Sequence, residues 1–319
     1  MTLSFVKERT MYKYILKRIL WLIPILLGVS FIVFTIMYLS PGDPASMILG
    51  ESAPPEALEA LREQMGLNRP FVVQYFSYIS KAVIELDLGR SYVNNREVMA
   101  EIITRLPNTL KLASISIVVA AIIGIPLGVI SATKPYSKVD NASMFVSLIG
   151  VSMPTFWQAL LLILLFALQL RLLPATGFDS WKQMILPVVT LASSSMGSIA
   201  RITRSSMLDV LDQDYIRTSQ AKGLSDNKVV YVHALRNALI PVITVIGLQF
   251  GTLLGGAILT ESIFSINGIG TLMVNAIRQR DTMIVQGGVL FVAFVFSVVN
   301  LCVDVLYAYI DPRIRSQYK

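Results

Sequence analysis

The chain has 319 residues, of which 54% are hydrophobic and only 15% charged, with a mean hydropathy of +0.65. An ordinary soluble domain is about a quarter charged, so this composition belongs to a protein whose solvent is largely lipid. One cysteine and one histidine exclude a disulfide framework, a thiolate metal site and multi-histidine metal or haem chemistry, and no Gly-rich loop ending in Gly-Lys-Ser/Thr is present to hydrolyse ATP.

A helix that crosses the hydrocarbon core needs about 20 mostly apolar residues. The first such run is 19–39, uncharged and preceded by Lys13, Lys17 and Arg18. It is too long for the apolar core of a signal peptide and is followed by the turn Ser40-Pro-Gly-Asp-Pro44 without a cleavage pattern, so it reads as a retained span. Further runs at 110–132, 142–168, 184–202, 238–260 and 285–310 bring the predicted total to six and place both termini on one side. The N-terminal tail, the loops 133–141 and 201–237 and the C-terminal tail together hold 16 basic and 7 acidic residues, against 11 and 12 in the opposite set. The positive-inside rule assigns the basic set to the cytoplasm. The net charge of +7 is thus mainly a topology signal, and no nucleic-acid partner is expected. The predicted organisation is a cytoplasmic tail (1–18), a first transmembrane helix (19–39), an extracytoplasmic helical insertion (40–109), a five-helix core (110–310) containing the cytoplasmic loop 203–237, and a cytoplasmic C-terminal tail (311–319).

The insertion is too long for a simple hairpin. Pro54-Pro55 opens a short helix with Leu58, Leu61 and Met65 on one face, ended by Gly66; Val72, Tyr75, Phe76, Ile79 and Val83 then recur at helical spacing until Gly89. These helices read as lying along the outer membrane face or forming a small cap, with two roles open: a structural lid or a dock for an external partner. In the cytoplasmic loop, Asp212-Gln-Asp214 is placed to cap a helix through Lys222, Gly223 stops it, and Leu224-Ser-Asp226 begins a second helix through His233 to Asn237. Two short helices broken by a glycine form a knob that either inserts into a groove on a cytoplasmic partner or merely joins two spans.

Tyr215-Ile-Arg-Thr-Ser-Gln-Ala-Lys-Gly223, followed after nine residues by His233-Ala-Leu-Arg-Asn-Ala-Leu-Ile-Pro241, resembles the coupling loop of ABC importer permeases, in the version of the oligopeptide/dipeptide/nickel family and of its first-permease type. Arg217, Thr218 and Ser219 stand where the wider pattern has Glu-Ala-Ala, which removes an acid that could meet a basic ATPase surface. Tyr14-Ile-Leu-Lys-Arg-Ile-Leu with Ile23-Pro24, Pro41-Gly-Asp-Pro-Ala45, Gly66-Leu-Asn-Arg-Pro70, Gly150-Val-Ser-Met-Pro-Thr-Phe-Trp157, Leu173-Pro174 and Asp311-Pro-Arg-Ile-Arg315 extend the resemblance over nearly the whole chain. It implies an all-α polytopic protein with the type I ABC importer permease fold, and a heteromeric importer for di- or oligopeptides or glutathione, ahead of nickel complexes. The implied partners are a second homologous permease, two ABC ATPases, an extracytoplasmic binding protein and the lipid bilayer. No cofactor is expected on this chain; ATP and Mg²⁺ would sit on the ATPases. The residues this implies for ATPase coupling are Tyr215, Arg217, Thr218, Ala221, Lys222, Gly223, Leu224, His233, Arg236 and Asn237.

Within the spans, Gly247, Gly251 and Gly255 share one helical face, and Gly124 and Gly128 flank Pro126. Such faces admit a neighbouring helix closely, either as static packing or as a sliding surface. Gln249 and Asn300 are polar at membrane depth and read as pathway residues or as hydrogen-bond partners between helices. Asp304 is expected near the cytoplasmic boundary in an ion pair with a loop base, and Cys302 is expected as a small buried filler. His233 lies on the cytoplasmic knob, which favours an ATPase contact over a metal. Arg201 and Arg204 are too few for a voltage sensor, and no K⁺-filter or His-Glu-x-x-His motif is present, which leaves a self-sufficient channel or secondary carrier as the competing class.

Overall fold

A computed structural model of the chain describes residues 2–50 and 52–310, with side chains from 15 to 305; the tail 311–319, with its Asp311-Pro-Arg-Ile-Arg315 motif, lies outside the described residues. The described residues form helices and turns without a strand, apart from one isolated antiparallel bridge between Arg90 and Glu97. In chain order the helices are α1 (Thr2–Leu39), α2 (Pro44–Leu49), α3 (Pro55–Met65), α4 (Phe71–Ser80), α5 (Val98–Thr133), α6 (Lys138–Ser152), α7 (Thr155–Gln169), α8 (Trp181–Leu211), α9 (Asp214–Ala221), α10 (Asp226–Ile263), α11 (Ile269–Arg278) and α12 (Thr282–Ile310). Five of them contain stretches long and apolar enough to cross a membrane: Ile15–Leu39, Val98–Thr133, Trp181–Leu211, Asp226–Ile263 and Thr282–Val305.

The sixth predicted crossing, 142–168, is not one straight helix. It is the pair α6 and α7, bent by 104° at Met153 and Pro154. Proline disfavours helical backbone in the residue before it, and Met153 has turned to the extended region (φ −81°, ψ 126°). The apolar run is long enough to hide this break from a hydropathy count. The helix around the second crossing also starts earlier than its apolar run, at Val98 rather than at 110.

Helix α8 is the axle of the bundle. Just over half (56%) of its most apolar window is buried, against 11% for α1 and α12. Its sequence explains the position: Thr190-Leu-Ala-Ser-Ser-Ser-Met-Gly-Ser-Ile-Ala200 is rich in small side chains, which let neighbours approach closely where lipid supplies no hydrophobic squeeze. A Cβ at Gly128 of α5 would stand 2.5 Å from Thr203 Cβ, one at Gly124 would stand 2.8 Å from the Met196 carbonyl, and one at Gly197 would overlap the Ser147 carbonyl of α6. The buried hydroxyls of Thr190 and Thr203 donate to the carbonyls of Leu186 and Ile199 (2.8 and 2.7 Å), so this polar surface is satisfied within its own helix.

The second glycine face behaves unevenly. Gly247 and Gly251 of α10 receive Val303 and Phe296 of α12, whereas nothing stands within 4 Å of a Cβ at Gly255. Among the described residues, two of the three glycines are therefore packing positions. Cys302 is exposed, not buried: it neighbours the buried Val303 on α12, but a helix turns by about 100° per residue and presents the two on different faces. Asp304 pairs with Arg18 (3.0 Å), so its base comes from helix α1 and not from a loop.

The insertion holds α2, α3 and α4. Gly66 ends α3 in the left-handed conformation (φ 70°), as its sequence predicts. Helix α4 runs into a π-turn, Lys81–Glu85, and stops at Leu86, three residues before the predicted stop at Gly89. Its aromatic face lies on α1, with Tyr75 and Phe71 edge-on to Phe31, Phe34 and Tyr38 at centroid distances of 5.0–5.9 Å.

Replacing Gly128 with valine overpacks the α5–α8 crossing and is expected to cost about 1–3 kcal/mol, read as a lowered unfolding temperature in detergent. Gly255→Ala enters open space and should leave that temperature unchanged or raise it slightly.

Candidate coupling knob and pathway residues

The knob between α8 and α10 is built on an apolar anchor. Helix α9 starts after Gln213, which makes no side-chain cap, so the predicted capping by the Asp212–Asp214 stretch reduces to Asp214 in the first turn, where a negative charge meets the helix N-terminus. Ile216 is 1% exposed and sits with Val129 and Ala132 of α5, Met207 of α8, and Val229, Ala234 and Ala238 of α10 in one cluster. That cluster fastens the knob to the bundle. The second knob helix does not end at Asn237: it passes through a π-turn, Val229–Ala234, and continues to Ile263 as one helix with the fifth span. Any displacement of the knob is therefore carried directly into a membrane helix.

The predicted coupling residues fall into two sets. Tyr215 and Asn237 are brought together across α9 and α10, the Asn237 amide donating to the Tyr215 hydroxyl at 2.8 Å and to the His233 carbonyl at 3.2 Å. Leu224 and His233 are half-buried, Leu224 against the anchor cluster. The others face out. Arg217 pairs with Asp212 at 3.0 Å, but both side chains are largely exposed, so the pair adds little to stability. Thr218, Ala221, Lys222, Gly223 and Arg236 are exposed. Gly223 adopts the left-handed conformation (φ 77°), and a Cβ placed on it would have no atom of the described residues within 4 Å. The tip of the knob is thus small, cationic and uncovered by the described residues.

Three polar sites that a charge count along the sequence passes over brace the bundle. Asp140, at the start of α6, accepts the Nε–H and an Nη2–H of Arg204 on α8 (2.8 and 2.7 Å), the Ser131 hydroxyl of α5 and the Tyr136 N–H at 2.9 Å. One carboxylate joins three helices at the knob end. At the opposite end, Glu261 is fully buried at the end of α10; it accepts the Thr109 hydroxyl of α5 (2.6 Å) and the N–H groups of Gly270 and Thr271 (2.7 and 3.2 Å), capping α11. Asp281, 1% exposed, accepts the Ser91 hydroxyl and the Tyr92 N–H, which pins the 90–97 turn to the start of α12. The signal in each case is an acid beside an apolar run, which counting assigns to a loop.

Of the two pathway candidates, Asn300 turns toward α10, where its Oδ1 lies 3.5 Å from a Cβ position on Gly251 and accepts no hydrogen bond. Gln249 is half-buried. The structure does not bring the two together in a hydrogen bond. On the insertion, the Asp43 carboxylate is held below its ordinary range by its hydrogen bond to Arg62 (2.8 Å), and it caps α2 through the Ala45 and Ser46 N–H groups. Among the described residues no group of three or more His, Cys, Asp or Glu is arranged to hold a metal ion.

An apolar helix bundle threaded on a small-residue axle, with an exposed knob continuous with a membrane helix, defines a multi-pass membrane protein. The chain belongs to the family described as the binding-protein-dependent transport system inner membrane component, which matches residues 124–316, with its N-terminal companion matching 11–113. It is 47% identical to a dipeptide transport system permease protein, DppB, of Alkalihalophilus pseudofirmus, over 96% of this chain and all of that one. It is 45% identical to the glutathione transport system permease protein GsiC of Escherichia coli K12, over 96% of this chain and 99% of that one. Its fold is that of type I ABC importer permeases. It aligns with an inward-facing MetNI methionine ABC transporter chain at a TM-score of 0.54 and 18% identity, over 67% of this chain and 97% of the other. An amino acid ABC transporter solved with histidines aligns at 0.52 and 15% identity, over 67% and 94%.

Asp140→Asn leaves the Arg204 guanidinium without its carboxylate and should cost roughly 3 kcal/mol, read by thermal unfolding in detergent, with the double variant D140N/R204Q recovering part of the loss. Because the Asp43 pKa is depressed, its contact with Arg62 contributes in full above the ordinary value of 3.8 and is lost only as pH falls below it. Proteolytic accessibility of the 44–66 segment should accordingly stay constant through neutral pH and rise only in strong acid.

Proposed function

We propose that the chain is one of two membrane subunits of an ATP-driven importer, forming half of the pathway for di- or oligopeptides or glutathione delivered by an extracytoplasmic binding protein. The observation that carries the substrate class is the near-complete alignment, 96% of this chain, with permeases named for dipeptide and glutathione transport. The partners are a second permease of similar fold, two ATPases that bind ATP and Mg²⁺, and the binding protein. The distribution of Lys and Arg supports both termini lying in the cytoplasm, and the inner-membrane family and bacterial relatives support a prokaryotic cytoplasmic membrane.

In this reading the knob is the mechanical link. Closure of the ATPase pair moves the exposed tip at Ala221, Lys222 and Gly223; Ile216 transmits that motion into α5 and α8, and the unbroken helix α10 transmits it into the span. A small displacement becomes a helix rotation because packed helices exchange discrete arrangements rather than deform. The Gly247 and Gly251 contacts with α12, the Gly124 and Gly128 contacts with α8 and the residues Gln249 and Asn300 lie on the elements that such a rotation re-registers.

Open space around Gly223 makes the test specific. A Cβ there meets no atom of the described residues within 4 Å, while any side chain larger than glycine strains the left-handed backbone (φ 77°). Asparagine tolerates the left-handed backbone and separates strain from bulk. In the assembled transporter Gly223→Trp is expected to abolish uptake of a radiolabelled dipeptide while ATP hydrolysis and subunit assembly persist, and Gly223→Asn to retain uptake. Wild-type uptake by the tryptophan variant would refute the coupling role. Dipeptide flux through this chain reconstituted alone, driven by an ion gradient, would identify a self-sufficient carrier instead.

A further inference from the structure

Helices α6 and α7 meet in a corner of bare backbone. Val151 and Ser152 end α6 with carbonyls that accept no hydrogen bond among the described residues, and Thr155, Phe156 and Trp157 open α7 with N–H groups that find no acceptor there. The bonds that flank the break are those of the Met153 N–H to the Ile149 carbonyl (3.1 Å) and of the Gln158 N–H to the Pro154 carbonyl (3.0 Å). Ser152 and Pro154 are exposed, so the described residues leave the corner open.

The corner lies at mid-depth. A Cβ on Gly150 would stand 2.6 Å from the Ser193 carbonyl, which sets the end of α6 level with the middle of α8. Along α8, Ser193 is 11 residues from Arg204, in the brace at the knob end, and 12 from Trp181, where the helix begins. At a rise of 1.5 Å per residue these are about 17 and 18 Å. A hydrocarbon core is about 30 Å thick, so the break falls near its middle. Lipid tails cannot pair with free backbone groups, and non-helical backbone persists at that depth only where protein buries it or water reaches it. A neighbouring membrane helix is a poor cover, because its own N–H and C=O groups are already bonded to one another. Water supplies donors and acceptors together. The side chains agree with water: Ser152 is exposed at the corner, and Gln158, one turn on, accepts the Ser193 hydroxyl at 2.7 Å while its own amide N–H groups find no acceptor among the described residues. Leu160, Leu164 and Leu168, farther along α7, are exposed and apolar, as a lipid face requires.

We propose that the corner at Ser152–Pro154 lines the water-filled translocation pathway at mid-membrane, with its free carbonyl and N–H groups open to that water. The proposal rests on the importer reading and adds to it a stretch of the path that neither Gln249 nor Asn300 marks. The corner offers donors and acceptors side by side, the pattern that a peptide main chain repeats at every residue.

The test is cysteine accessibility in the complex with which the chain purifies, held in nanodiscs, in a Cys302→Ser background that removes the one native cysteine of the chain. The probe is 2-sulfonatoethyl methanethiosulfonate, whose charge keeps it out of lipid, and labelling is read on this chain after denaturing electrophoresis. Ser152→Cys is expected to react about tenfold or more faster than Leu164→Cys, because water reaches the first and lipid covers the second. Trapping the ATPases with ADP and vanadate should change the Ser152→Cys rate by about threefold or more, since a pathway opens to alternate sides. Thr155→Cys, on the other arm of the corner, gives a second position if the first variant does not assemble, and labelling in detergent after denaturation shows that each thiol is competent. A Ser152→Cys rate no faster than that of Leu164→Cys would overturn the proposal, and so would a fast rate that vanadate does not move, the mark of a fixed water pocket. If cellular dipeptide uptake still requires the chain in those cases, the assignment of the corner fails alone; if uptake is independent of the chain, the importer reading fails.

Discussion

Lipid tails are as apolar as leucine, so the bilayer does not press these helices together, and association depends on how closely their backbones can approach. The contact of α5 and α6 with α8 answers that requirement: Gly124, Gly128, Gly150 and Gly197 put would-be Cβ atoms within 2.8 Å of a neighbouring atom, and the serines and threonines along α8 keep its surface low. The rest of the bundle is arranged around this crossing. Dispersion contacts over a long, close interface replace the hydrophobic driving force of a soluble core.

The two ends of the bundle are then fixed by different chemistry. At the knob end, an apolar cluster around Ile216 and the Asp140–Arg204 pair hold α5, α6, α8, α9 and α10 in one unit. At the insertion end, buried carboxylates serve the same purpose by collecting N–H and O–H donors: Glu261 caps α11 and ties it to α5, and Asp281 holds the 90–97 turn. Each carboxylate is buried at a cost that its several partners offset. The helices are thus joined at both ends as well as along the α8 crossing.

The knob itself is divided between a fixed and a free surface. Its interior face is apolar and buried, a Tyr215–Asn237 hydrogen bond joins α9 to α10, and its tip presents Ala221, Lys222 and Gly223 uncovered by the described residues. The second half of the knob is continuous with α10, which runs on from it into the bundle.

Local signals written along the chain make much of this legible. The number and order of apolar runs, the αL stop at Gly66, the break at Gly223 and the motif from Tyr215 to Pro241 depend on residues close together in sequence, where steric limits and lipid solubility act directly. The bend at Met153-Pro154 is masked because hydropathy counts apolar residues and is blind to direction, although the proline stands in plain view. Packing, by contrast, settles which distant groups meet. Asp140 with Arg204, Glu261 with Thr109 and Gly270, Ile216 beneath α5 and α8, and the open flank of Gly255 beside the filled one of Gly251 all follow from helix rotation and depth, which no sequence period specifies. A charge beside an apolar run is the same letter whether it faces a loop or a buried donor; the energy that distinguishes the two belongs to the contact, and the contact exists only once the helices have packed.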